Sequence, residues 1–292
     1  MSRFLLAFRN KPNEEGAVVI QNLPIDTLLP DTPINTPYAK KYTFYSEWSL
    51  MLLISVIADI IAYKEEMKGK YIHDIVPRPG NESEQSNGVS VLLEFHTEHG
   101  FHPFKQDYIG LYCLRRDHEA KAMTMGASVI NALQHLDQTT VHILQEKRFR
   151  IHLPFSFMSK RGEAYFSPNM SVLSTDLKMP SMCVDFDAMR AIDPEAKIAL
   201  KLFEQALQAE MMGNVLAPGE MLIIDNQLIA HARTAFSPKY DGKDRWLQRI
   251  SAVRDIRRVK NSFLDDTRIC RPVLEETMWK QIYQRKPLCP AA

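Results

Sequence analysis

The chain has 292 residues, enough for one large domain or two small ones, with 45% apolar and 24% charged residues. That balance is ordinary for a soluble globular protein and excludes a disordered chain, a collagen-like repeat and a disulfide scaffold. Lys and Arg number 36 against 35 Asp and Glu, a net charge of +1, so nucleic acid is not an expected partner.

The N-terminal run MSRFLLAFRNKPNEEG has too short an apolar stretch for a signal peptide, and no small-residue cleavage site. GAVVIQNLP (16–24) reads as a strand ended by proline, followed by the proline-studded connector LLPDTPINTP. Ser46 to Glu66 reads as one helix, with Ser46 as its N-cap and KEEMKGK as its exit. Its apolar part, Trp48 to Tyr63, contains Ser49, Ser55 and Asp59 and falls short of the ~20 residues a bilayer span needs, so it is expected as a buried helix and no membrane partner follows. After the polar loop NESEQSNG (81–88) come three strands, at 90–96, 107–115 and 121–127, then helical stretches at 128–136 and 139–147.

RFRIHLPFSF returns to strand-like alternation, and 163–185 is loop-rich. Pro194 to Met212 reads as an amphipathic helix, with Ala196, Ala199, Leu200, Phe203, Ala206 and Leu207 on one side. Three strands close the pattern: 220–226, 228–234 and 245–253. There is no repeat and no flexible linker, so residues 1–292 are expected to form a single domain, mainly β with flanking α-helices. The absence of a glycine-rich strand-to-helix turn weakens a dinucleotide reading, and no GxxxxGK[ST] occurs. Four cysteines (Cys113, Cys183, Cys270, Cys289) lie far apart with no CxxC spacing, which argues against a structural zinc site and fits a reducing cytoplasm.

Chemistry concentrates in LLEFHTEHGFHPF. His96 and Glu98 are two apart at the end of an apolar strand, where i and i+2 share a face with Cα atoms about 6.5 Å apart. An imidazole and a carboxylate so placed can share a metal ion. The best third ligand is His231 in IIDNQLIAHART, a segment otherwise too apolar to need a histidine. Two histidines and a carboxylate form the facial triad of non-haem Fe(II) oxygenases, which leaves positions open for a bidentate cosubstrate and dioxygen. His99 and His102 are rivals for the metal, but HTEHGFH is not HExxH, so a zinc protease is poorly supported. His73, His118, His135, His142 and His152 read as structural or solvated.

Arg245 lies 14 residues past His231, with Arg249 four further on. A dicarboxylate cosubstrate needs a fixed cation for its far end, which arginine supplies as a planar, permanently charged fork. Two arginines facing inward would be costly without anionic partners. If both point to solvent instead, the alternation puts Trp246 and Ile250 inside.

SVLLEFHTEHGFHPFKQDYIGLYCLR and APGEMLIIDNQLIAHARTAFSPKYDGKDRWLQRI closely resemble the clavaminate synthase-like Fe(II)/2-oxoglutarate dioxygenases, best the free L-arginine, L-lysine and L-asparagine hydroxylases. The resemblance runs from about Gly16 to Arg257 and implies a double-stranded β-helix (jelly-roll) fold. It makes His96, Glu98 and His231 the ligands of Fe(II), and Arg245 with Thr124 the anchors of the distal 2-oxoglutarate carboxylate. It also implies that Arg249 holds the substrate α-carboxylate, that Ser86 contacts its backbone groups and that Glu66 takes its α-ammonium. Ala232 stands where members carry HGR, and the stretch before Gly16 is shorter than in many of them. A homo-oligomer is compatible with this reading.

Asp185 and Asp187, in MCVDFDAM, match an Asp-x-Asp that in basic-amino-acid hydroxylases reaches the guanidinium or ammonium; the alternative is an acidic turn before the following helix. The resemblance implies O2-dependent hydroxylation at C3 or C4 of a free amino acid, lysine or arginine first, with succinate and CO2 released. Asparagine as substrate and desaturation as outcome stand as alternatives, and Glu98 disfavours chlorination, because halogenases of this fold replace that carboxylate with Gly or Ala. A non-catalytic metal-binding jelly-roll module would need neither Arg245 nor Thr124.

Overall fold

A computed structural model describes residues 1–12, 15–34, 40–80, 92–157 and 165–273. In chain order the elements are α1 (Ser2–Asn10), β1 (Ala17–Ile20), α2 (Tyr45–Ile57), β2 (Asp59–Tyr63), β3 (Ile72–Ile75), β4 (Leu93–His96), β5 (Tyr108–Arg115) and β6 (Thr124–Ser128). Then follow α3 (Val129–Ala132), α4 (Gln138–Gln145), β7 (Phe149–Ile151), β8 (Met189–Ala191), α5 (Pro194–Ala209), β9 (Met212–Asn214), β10 (Met221–Asp225), β11 (Ile229–Arg233), β12 (Trp246–Val253) and β13 (Ile269–Cys270).

Seven strands make the larger sheet in the order β1-β10-β5-β12-β2-β13, with β3 also paired to β12; four make the smaller, β4-β11-β6-β9, and β7 pairs with β8. All these ladders are antiparallel except β13 on β2. The larger sheet is covered on both faces, and the side-chain alternation of its strands sorts residues between two cores. On β5, Ile109, Leu111 and Cys113 join Phe95, Met125 and Ile229 of the smaller sheet, while Tyr108, Tyr112 and Leu114 pack with Leu50 and Ile54 of α2. β12 divides likewise, with Leu247 and Val253 on one side and Trp246, Ile250 and Ala252 on the other. Strands buried on both faces lose the apolar-polar alternation, and LYCL and MLII read accordingly as unbroken apolar runs. Gly110 lets α2 approach: a Cβ there would lie 2.9 Å from Met221, 3.0 Å from Ile250 and 3.3 Å from Ile54.

The segment expected as one helix to Glu66 divides. The helix ends at Ile57, Ala58 is extended, and Asp59–Tyr63 forms β2, in register with Val253 to Ser251 of β12. β-Branched Ile60 and Ile61 favour the pleated surface, and β12 supplies the partner. Nor is Ser46 the cap, since the helix begins one residue earlier and the N-cap position, Phe44, makes no side-chain cap. The Asp26 carboxylate does that work from outside, accepting the N–H groups of Tyr45 (2.9 Å) and Ser46 (3.2 Å). α2 is also not fully buried, because Tyr45, Trp48 and Leu52 face outward.

The other expected elements form within a few residues of their predicted bounds. α5 stops at Ala209, and Met212–Asn214 becomes the edge strand β9 beside β6. α1, β3, β8 and β13 carry no clear periodic signal. Cys113, Cys183 and Cys270 are free, and Cys289 lies outside the described residues. Among the described residues no helix is long and apolar enough to cross a membrane.

Candidate metal centre and its buried arginines

β4 and β11 are neighbours in the smaller sheet, and their register sets His96 opposite His231, with ring centroids 4.2 Å apart. Glu98 arrives differently from expectation. The strand ends at His96, and Glu98 lies in the turn beyond it, with His99 at φ +52° in the left-handed region. The turn is held from both sides. Thr97 N–H donates to the Val184 carbonyl at 2.8 Å, and Glu98 N–H donates to Asn226 Oδ1 at 2.8 Å. Asn226, fully buried in the β10–β11 turn, returns donors from Nδ2 to the carbonyls of Glu98 (3.1 Å) and Gln106 (2.9 Å).

The ligand atoms of His96, Glu98 and His231 all lie within 4.8 Å of one another. His96 Nδ1 lies 2.9 Å from the Glu94 carbonyl, which fixes the tautomer with that N–H donated and Nε2 free as a lone pair. Burial, aided by the neighbouring His96, lowers the pKa of His231 to about 4, so its imidazole is neutral. Burial opposes the charge of Glu98, yet Arg249 and His231 hold its carboxyl well below the usual range. Arg249 Nη1 bonds Oε1 at 2.7 Å, and Oε2 lies 3.5 Å from His231 Nε2. Two imidazoles, each with a ring nitrogen to offer, and one carboxylate with an oxygen turned toward His231 fit a divalent Fe(II) with open positions.

Among the described residues two other clusters meet the same spacing, Glu66–Glu98–His99 and His118–Asp241–Asp244. In the first, a cation is already present, because Arg249 bonds Glu66 (both oxygens at 3.1 Å) as well as Glu98. In the second, His118 turns one ring nitrogen to each aspartate, Nε2 to Asp241 (2.9 Å) and Nδ1 to Asp244 (3.6 Å), so its lone pairs do not converge.

Arg245 is buried and Arg249 partly buried, its guanidinium paired with Glu98 and Glu66, and Trp246 and Ile250 are buried on the opposite face, beneath α2. The solvent-facing alternative for the arginines therefore does not hold, although Trp246 and Ile250 are inside, because β12 is covered on both faces. Arg245 Nη2 donates to Thr124 Oγ1 at 3.2 Å, and among the described residues no carboxylate lies within ion-pairing distance of it. Thr124 lies two residues along β6 from Gly126, which pairs with His231, and opposite Arg233. Burial lowers the pKa of Arg245, the mark of a cation lacking a full counter-charge.

Behind Glu98 a buried polar network extends. His99 contacts Glu66 (Nε2–Oε1 3.1 Å) and Gln106 (Nδ1–Oε1 3.1 Å), and Tyr63 OH donates to the same Gln106 oxygen at 2.8 Å. His73, read as structural or solvated, is buried with Nδ1 3.6 Å from Glu66. The His99 side chain is thus turned from His231 into this network.

Asp185 is half-buried beside β4, forming an isolated backbone bridge with His96, and Asp187 is exposed. Burial raises the Asp185 pKa, and its Oδ1 accepts the Ala188 N–H at 2.8 Å. Ser86 lies outside the described residues. Sequence reasoning missed Asn226; the only signal available is the Asp225-Asn226 pair between two apolar runs, which marks a turn.

The family model described as taurine catabolism dioxygenase TauD, TfdA family, matches residues 63–251. The L-asparagine oxygenase of Streptomyces coelicolor is 35% identical over 259 residues, covering 88% of this chain and 77% of that protein. The L-lysine 3-hydroxylase of Catenulispora acidiphila is 32% identical over 246 residues, covering 82% and 68%. Among solved structures, asparagine oxygenase with Fe(II), (2S,3S)-3-hydroxyasparagine and succinate superposes with a TM-score of 0.87 at 33% identity, over 92% of this chain and 84% of that one. A mainly β architecture carrying a two-histidine, one-carboxylate centre, and sequence likeness along most of its length, place this chain in the TauD/TfdA dioxygenase family.

Proposed function

We propose that the protein is an Fe(II)- and 2-oxoglutarate-dependent hydroxylase of a free L-amino acid, acting at C3 or C4 of a basic one, lysine or arginine. One observation carries the reading furthest. The His96–Glu98–His231 cluster lies one strand away from Thr124, to which Arg245 is hydrogen-bonded, a buried arginine without a carboxylate partner among the described residues. That combination suits a cosubstrate which chelates a metal at one end and ends in a carboxylate at the other. We read residues 1–292 as one oxygenase domain, since β5, β10 and β12 contribute to both cores.

In this reading His96, Glu98 and His231 hold the iron, which with 2-oxoglutarate and O2 supplies the oxidising power for an unactivated C–H bond. Arg245 and Thr124 bind the distal carboxylate and so orient the cosubstrate. Arg249 keeps Glu98 ionised through Nη1, and its buried Nε, without a partner, is a donor for the substrate α-carboxylate. Glu66, which Arg249 and His99 hold ionised although burial opposes it, takes the α-ammonium. Asp185 faces the cationic end of the side chain, and the apolar residues between the sheets exclude bulk water.

Asparagine is the second reading, favoured by the 35% identity to an L-asparagine oxygenase. Succinate release across the twenty amino acids, with Fe(II), ascorbate and 2-oxoglutarate, tests both. Release with lysine or arginine supports the first; release confined to asparagine overturns it in favour of the second, and no stimulation by any amino acid sinks both.

A further inference from the structure

The helix α2 is apolar on its inner and outer sides alike, interrupted only by Ser46, Glu47, Ser49 and Ser55, yet among the described residues its outer side is uncovered. Ser46, Leu50, Ile54 and Ile57 face the larger sheet. On the other side Trp48 and Leu52 are each 62% exposed. Tyr45 and Met51 flank them, and Tyr42 and Phe44 extend the surface at the helix entry. A helix that is apolar all round is normally enclosed on all sides, whereas a solvent-facing helix carries charge on its outer stripe. From Tyr45 to Ile57 the one charged residue is Glu47, and it turns inward. Its Oε2 pairs with Lys41 Nζ at 2.7 Å and its Oε1 accepts from Gln248 Nε2 at 2.9 Å.

We propose that this outward face of α2 is the contact surface of a homodimer, each copy covering the other's Trp48 and Leu52 about a two-fold axis. The area fits. At about 150–250 Å² for a large aromatic side chain, Tyr42, Phe44, Tyr45, Trp48, Met51 and Leu52 present on the order of 600–700 Å² at their observed exposures. A standard interface buries ~800 Å² per partner, and a polar rim supplies the remainder. The composition fits as well, being rich in aromatics and methionine and depleted of charge, as interface centres are.

Neutrality selects the occupant. A surface without charge meets its own copy with no like-charge repulsion, as an isologous contact requires. A strongly charged partner would find nothing to pair with on it, and helices that lie on anionic membranes display Lys and Arg on their polar face, which α2 lacks. The surface lies on the far side of the larger sheet from the His96–Glu98–His231 cluster, so the proposal does not depend on the reaction.

The test is sedimentation velocity on the full chain from about 1 to about 100 µM, a range that reveals mass-action association. The expected result is a species of twice the 33.6 kDa chain mass that dissociates on dilution. Trp48→Glu with Leu52→Lys should give a monomer with unchanged far-UV circular dichroism. The milder pair Trp48→Ala with Leu52→Ala, which adds no charge and guards against misfolding of the first, should raise the dissociation constant at least about tenfold. A monomer throughout the range, or a dimer of unchanged affinity in the alanine pair, overturns the proposal. So does a chain that binds neutral vesicles through Trp48 without self-associating.

Discussion

The side chain of Asn226 brackets the peptide group of Glu98, accepting its N–H at 2.8 Å and donating to its carbonyl at 3.1 Å. The turn that leads into the strand bearing His231 therefore also sets the backbone of the carboxylate that must meet His231. Asn226→Ala leaves the buried N–H of Glu98 and two carbonyls without these bonds, and should cost at least about 2 kcal/mol of stability. Because it releases the turn that aims Glu98, Fe(II) affinity should fall about 10- to 100-fold. Thermal melting and a metal titration check the two effects separately. A lowered melting temperature with unaltered iron affinity would make Asn226 purely a folding residue.

The proposed iron ligands are tested by substitution. His96→Ala and His231→Ala should abolish retention of Fe(II), whereas His99→Ala, whose ring is turned into the Glu66–Gln106 network, should keep a substantial part of it. Metal content after gel filtration is the measurement. Loss of iron in the His99 variant alone would move the centre to the cluster around Glu66.

Arg245 and Thr124 make a graded pair. A lost charge-assisted bond costs about 1.5–3 kcal/mol, so Arg245→Gln should raise the 2-oxoglutarate KM roughly 10- to 150-fold. Iron affinity should barely change. Thr124→Val, which removes the hydroxyl contacting Arg245, should give a smaller rise in the same constant. An unaltered KM in both variants would assign the buried arginine another counter-charge.

How far the sequence alone reached depended on whether a feature was local. The HTE run, the lone histidine of an apolar strand and the β-rich order are all visible in short windows, and the structure brings His96, Glu98 and His231 together. β12 was ambiguous because period-2 alternation assumes one wet face. Here Arg249 faces the interior, paired with Glu98, while Trp246 is buried on the opposite face of the same strand, and only the existence of α2 above it resolves the choice. The end of α2 was misread for a related reason. The apolar pattern runs on through Asp59–Tyr63, and what converts it to a strand is a partner about 190 residues away on β12. Asn226 and Asp26 were missed as organising residues because both bond to backbone far along the chain, and spacing says nothing of that.

Asp26 also carries a pH signature. Its carboxylate accepts from Lys41 Nζ (2.7 Å), Ser46 OH (2.6 Å) and Thr43 OH (2.9 Å), besides the first N–H groups of α2. Burial opposes its charge, but these bonds hold its pKa below the ordinary 3.8. The folded protein thus binds this proton more weakly than the unfolded chain. The contribution to stability is complete above the unfolded value and is lost as pH falls through the lower folded one. Asp26→Asn should cost about 1.5–3 kcal/mol near neutrality, with the gap to wild type narrowing below about pH 4. Urea melts across pH 3 to 7 check this; a gap independent of pH would show that Asp26 contributes through shape alone.

Asp185 and Asp187 are not equivalent, although the sequence presents them as a pair. Asp185 is half-buried against β4 at the level of His96, and burial raises its pKa, so a cationic group brought beside it relieves a standing cost. Asp187 is exposed, and a charge pair formed there is screened by water and worth little. Asp185→Asn keeps an oxygen for the Ala188 N–H and removes only the charge. It should cost turnover of lysine or arginine at least about tenfold, one weakened charged hydrogen bond being worth ~1.5 kcal/mol. Asp187→Asn should cost less than about threefold, within the range of an exposed ion pair. Neither change should alter the 2-oxoglutarate KM, which in the proposed function rests on Arg245 and Thr124. The measurement is succinate formation at saturating 2-oxoglutarate as the amino acid is varied, with asparagine run alongside. A wild-type preference for asparagine, or equal losses in the two variants, would remove Asp185 from the role of charge reader.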